Sequence, residues 1–147
     1  MAFRHFGRVL IGVSVISLLV AGWALAAKPA KGAEYTGAVT GDTTETVSFT
    51  VAKSGKSLSS LNVPIAIRCQ GGFGGIETKP PKSTAISKKG TFKATVKVEA
   101  INGKSFGKEI VTGKFLSSRR EAGSIKGELK GLSSCHNTTL KYTTTAT

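Results

Sequence analysis

The chain has 147 residues, with 21 basic against 8 acidic side chains, a net charge of +13 and a pI of about 10.1. That length suits one domain. Two cysteines and two histidines are too few for a Cys/His zinc site, and no Cys-x-x-Cys pair offers redox chemistry.

Residues 1–26 read as a secretory signal peptide. Arg4 and Arg8 form a basic start, an apolar run begins at Val9, and Ala24-Leu25-Ala26 is a small-x-small cleavage site. The alternative is an uncleaved anchor, because the apolar run approaches the ~18 residues a membrane helix needs. No second apolar run follows, so no membrane span is expected after cleavage. Removing residues 1–26 leaves 121 residues and takes away two of the 21 basic side chains and none of the eight acids, for a net charge of +11. Such a charge draws a protein to anionic surfaces, whether wall polymer, acidic polysaccharide or lipid headgroups.

Residues 27–33, with Pro29, read as a linker, and 34–147 as one β domain. Val47, Phe49 and Val51 alternate with polar residues. So do Phe92, Ala94, Val96 and Val98, then Ile125, Gly127 and Leu129, then Leu140 and Tyr142. A period of two with one polar face predicts antiparallel, half-buried strands. Further strands are expected at 34–39, 58–63, 65–69, 82–86 and 108–116, with Pro64 marking a break. Ser54-Gly55, Lys89-Gly90 and Asn102-Gly103 are turn signals. The expected fold is all-β, a sandwich or flattened barrel of about eight to nine short strands. The Thr-rich tail at 143–147 is expected to fray.

Cys69 and Cys135 are both in the exported part, and an even count in an oxidising compartment favours one disulfide. It would close a loop of about 67 residues, worth ~4 kcal/mol in the chain-entropy model. The glycine-rich CQGGFGG at 69–75 lacks the following helix and Lys-Ser/Thr end that a phosphate-binding loop needs, and Pro80 and Pro81 lie just beyond it. Phe73 within it is either tucked over the end of the fold or exposed. If exposed, near Arg68 and Lys79, it would suit a sugar ring or an acidic chain.

Arg119-Arg120 falls at an expected hairpin tip and could grip phosphate or sulfate bidentately. Lys93 and Lys97 share a strand face, which continues through Lys126 and Lys130 if those strands are neighbours. The simpler reading of that face is solubility, with lysines guarding against edge aggregation. No aromatic residues interleave with the lysines, so no specific nucleic-acid partner is expected. No G-x-S-x-G elbow is present, and no pair of the eight acids can be placed together from sequence. No enzyme activity, cofactor or metal is therefore expected.

Gly32-x-x-Tyr35-x-Gly37, Val47 to Val51, Leu58-x-x-Leu61, Gly90-x-Phe92, Val111-x-Gly113-x-Phe115, Ala122-Gly123-x-Ile125-x-Gly127 and Leu140-x-Tyr142, with Cys69 and Cys135 between them, form an ordered series. The series resembles small exported β-sandwich domains of bacterial, notably actinobacterial, secreted proteins. That resemblance implies an all-β domain with its two cysteines bridged and implies no catalytic residues. The expected role is a secreted binding or structural module in the extracellular space or cell envelope, with a preference for anionic polymer or surface. The alternative is a carbohydrate-binding or small carbohydrate-active protein, with a glycan as its partner.

Overall fold

The computed structural model describes residues 27–70, 75–130 and 134–147. The expected signal peptide and Phe73 lie outside the described residues. The described residues contain eleven strands and no helix, hence no helix long and apolar enough to cross a membrane. They are β1 (Glu34–Val39), β2 (Asp42–Val51), β3 (Ser57–Asn62), β4 (Ile67–Cys69), β5 (Ile76–Lys79), β6 (Thr84–Ala85), β7 (Thr91–Ala100), β8 (Ser105–Phe115), β9 (Arg120–Leu129), β10 (Cys135–Asn137) and β11 (Thr139–Ala146).

Nine strands form one antiparallel sheet in the order β5-β7-β8-β9-β11-β1-β2-β3-β6, curled as a half-barrel. An isolated bridge between Ile86, beside β6, and Phe92 on β7 joins the β6 end to the other side of the sheet. Of the two expected architectures, the flattened barrel is the nearer. β4 and β10 form a separate two-stranded ribbon. Cys69 pairs opposite Cys135 in that ribbon, and the two are joined by a disulfide.

The alternating pattern fixes which face is inside. On β7, Phe92, Ala94, Val96 and Val98 are buried and Lys93, Thr95 and Lys97 are exposed. Tyr35, Phe49, Phe92 and Phe115 make an aromatic cluster, with Tyr35 stacked on Phe49 at 5.1 Å and Phe92 edge-on to Phe49 at 5.6 Å. Such pairs add to area burial. Across the inner face Phe92 pairs with Gly113, Gly113 with Gly123, and Gly123 with Tyr142. The two glycines leave room that the flanking rings fill. A Cβ on Gly113 would lie 2.4 Å from the Phe92 ring, and one on Gly123 would lie 2.5 Å from the Tyr142 hydroxyl.

Leu58 and Leu61 are both buried although three residues apart. A shift of register against β2 accounts for this: Ser48 pairs with Asn62 but Thr50 with Ser59, and Ser60 takes a φ of 53°. A bulge there lets both leucines face inward. The expected turns at Gly55, Gly90 and Gly103 all carry positive φ, which glycine adopts without a Cβ penalty. Pro64 lies in the break between β3 and β4.

Two expectations need correction. The strands are not uniformly short, since β2, β7 and β9 have ten residues and β8 eleven. The tail does not fray: Thr143, Thr144 and Thr145 pair with β9, and Thr145 and Ala146 also pair with β1. Thr144 and Ala146 point into the core, so the alternating TTTAT sequence is a central strand. Residues 27–33 are held against the barrel. The Ala30 N–H donates to the Ser118 carbonyl and the Tyr35 hydroxyl, and Pro29 is buried.

Candidate anion-binding surface

The outer face of β5, β7, β8, β9 and β11 carries most of the exposed strand lysines. Strand pairing sets their neighbours. Lys79 lies opposite Lys97, and Lys97 opposite Lys108. Lys93 lies opposite Thr112, Thr112 opposite Ser124, and Ser124 opposite Lys141. Carboxylates occupy only one end of this face. Lys79 pairs with Glu99 at 2.6 Å, and Glu128 pairs with Lys108 at 3.2 Å and Lys126 at 3.9 Å. The Lys79 ammonium holds the Glu99 carboxyl below its ordinary range.

The other end is uncompensated. Small side chains at Thr112, Ala122 and Ser124 floor a shallow hollow of about 460 Å³, and Lys114 and Lys141 stand on its walls. The Thr112 and Ser124 hydroxyls are 3.0 Å apart. Lys93 is the cross-strand neighbour of Thr112, and Arg120 precedes Ala122 by two residues on the same face of β9. No carboxylate lies within salt-bridge distance of Lys93, Lys114, Arg120 or Lys141 among the described residues.

The structure thus brings Lys93, Lys97 and Arg120 to one face. Lys126 shares that face two strands from β7, because β8 intervenes. Lys130 lies just past β9 and lines a groove with Lys97, Lys108, Glu99 and Glu128. Arg119 belongs to the hairpin tip, where its guanidinium reaches the Ala146 carbonyl at 3.4 Å. Ser117 caps that tip by accepting from the Arg119 and Arg120 N–H groups. Arg68, in the ribbon, is held by both carboxylate oxygens of Glu45 at 3.0 and 3.1 Å. Lys114 and Lys141 escape a reading of single strands because their grouping depends on the order β7-β8-β9-β11.

Two carboxylates are inside the barrel. Glu109 and Glu121 are fully buried. Glu109 accepts from the Ala66 N–H at 2.5 Å, and Glu121 accepts from the Thr144 hydroxyl at 2.8 Å. Each keeps one oxygen without a partner. Burial pushes both carboxyls up to about 7 against those hydrogen bonds. Burial, with Glu121 beside it, also drives the Tyr142 phenol far above its ordinary range.

The two are not a dyad. Glu109 lies opposite Gly127, six residues along β9 from Glu121, which puts them about 20 Å apart at ~3.3 Å per residue. Paired glycosidase carboxyls stand roughly 5–9.5 Å apart. Phase would have revealed their burial: Glu109 is in step with Val111, Gly113 and Phe115, and Glu121 with Gly123, Ile125 and Gly127.

No protein-family model, curated protein or solved structure matches the chain. The all-β fold and the Cys69–Cys135 disulfide stand on the structure itself.

Proposed function

We propose that the protein is an exported, non-catalytic β-barrel module of bacterial type that binds an anionic polymer or surface at the cell exterior. The observation that supports this most is the uncompensated end of the outer face, where Lys114 and Lys141 line a hollow floored by Thr112, Ala122 and Ser124 and reached by the Phe92 ring beside Gly113, with Lys93 and Arg120 at neighbouring outer positions. At the other end of this same sheet Lys79, Lys108 and Lys126 pair with Glu99 and Glu128. At the hollow the potential is left open to a partner of opposite charge. Around this hollow the outer positions Lys93, Thr112, Lys114, Arg120, Ala122, Ser124 and Lys141 bear no aromatic ring for a base to stack on, the half-buried Phe106 being at the far end of β8. Each of β7, β8, β9 and β11 contributes one of the four cations Lys93, Lys114, Arg120 and Lys141 to an extended polyanion crossing the strands.

Elution from phosphocellulose in a rising salt gradient tests this reading, alongside an uncharged polysaccharide matrix. The expected result is retention on the first only, lost as salt rises through physiological strength, where screening acts within about 8 Å. Retention on the uncharged matrix that survives high salt would replace this reading with glycan recognition.

A further inference from the structure

A second basic site lies at one end of the barrel, where three separated segments meet. They are the segment 27–31, the β2–β3 turn at 54–56 and the β6–β7 turn at 86–90. Between them is a cleft of about 480 Å³, within the range of small-molecule sites. Lys28, Lys31, Lys56 and Lys88 line it, and no carboxylate does. None of the four lies within salt-bridge distance of an acid among the described residues. Ala27, Pro29 and Ile86 supply its apolar wall.

The cleft is built by packing. The Gly90 turn lies so close to the Ala27 carbonyl that a Cβ on Gly90 would come within 2.3 Å of it. The aliphatic stem of Lys31 lies over Gly55, 3.3 Å from where a Cβ would be. The turn backbones are engaged within the fold: Gly55 N–H donates to Ala52, Gly90 N–H to Ser87 and Ile86 N–H to Lys56. The ammonium groups, with the Ser54 hydroxyl, whose oxygen accepts from the Lys56 N–H, are therefore the donors available to a ligand.

The geometry points to this cleft as a binding site for a phosphate group, free or carried as an ester on a small organic moiety. Four lysines and no arginine form a set of point charges, which suits a compact dianion better than the planar, bidentate recognition of a carboxylate. An organic substituent would rest on Pro29 and Ile86. The site is separate from the outer face, so either can fail without the other.

Amide-resolved NMR titration of the purified protein, at fixed ionic strength, tests the inference with inorganic phosphate and with glycerol phosphate. The expected result is saturable one-site binding centred on the amides of Gly55, Lys56, Ser87 and Gly90. Tighter binding of the ester assigns the site to an esterified phosphate, and equal binding assigns it to the free ion. Lys56→Gln with Lys88→Gln should weaken binding by roughly ten-fold or more, the weight of a lost charge-assisted hydrogen bond. Lys82→Gln with Lys104→Gln, exposed and in neither basic site, should leave it unchanged. Non-saturating shifts spread over all lysine-bearing segments, or equal losses in the two double variants, would overturn the assignment.

Discussion

Glu109 and Glu121 set how the protein responds to pH. Their carboxyls titrate near 7 in the fold, against an ordinary value of 4.5. Between about pH 4.5 and 7 the folded chain holds protons that the unfolded chain has released. Stability should therefore fall as pH rises through that window and level off above it, by up to ~3 kcal/mol per carboxyl. Asp42 and Glu99 are shifted the other way, so their contribution is lost only at lower pH. Urea unfolding at pH 5 and pH 8 checks this: the wild type should be more stable at pH 5, and Glu109→Gln with Glu121→Gln should flatten the difference. Greater stability at pH 8 would refute it. Gly113 is a separate test of the same interior. A Cβ there would stand 2.2 Å from an unpartnered oxygen of Glu121, so Gly113→Ala should destabilise by ~1–3 kcal/mol through overpacking. A denaturation midpoint unchanged from wild type would contradict the packing described.

At the scale of elements, the ribbon and the last strand carry the clearest expectations. The disulfide joins residues 66 apart in sequence across β4 and β10. Cys69→Ala with Cys135→Ala should cost ~2–5 kcal/mol, measured by chemical denaturation. Removing residues 143–147 takes away half of β11, which bridges β9 and β1. Cooperative thermal unfolding by circular dichroism should then be lost, whereas a fraying tail would leave it intact. The sequence made β7 legible because its inner positions are apolar without a break, whereas the inner row of β8 is interrupted by Glu109. β5 and β10 were not legible: β5 is a four-residue edge strand and β10 three residues in a covalently closed ribbon. The Thr-rich end of β11 hid its strand because only Ala146 among its inner positions past Tyr142 is apolar. The lysine grouping was legible along β7 alone. Lys28, Lys56 and Lys88 carry no shared pattern, since only the fold brings their three segments together.

The described chain is a curled sheet with a small ribbon beside it; its interior is aromatic and aliphatic around the buried Glu109 and Glu121, and its exterior divides by charge. Carboxylates neutralise the end of the outer face near β5, and the end around Lys114 and Lys141 is left positive. If the excess charge served solubility alone, its location would not matter, and any four lysines would contribute alike to retention on a polyanion. If the outer face is the binding surface, location decides. The direct measurement compares two variants on phosphocellulose at equal net charge. One neutralises Lys93, Lys114, Arg120 and Lys141; the other neutralises Lys53, Lys82, Lys89 and Lys104, which are exposed and lie off that face. The first should elute at clearly lower salt than the second. Elution of both at the same salt would contradict a localised anion-binding surface.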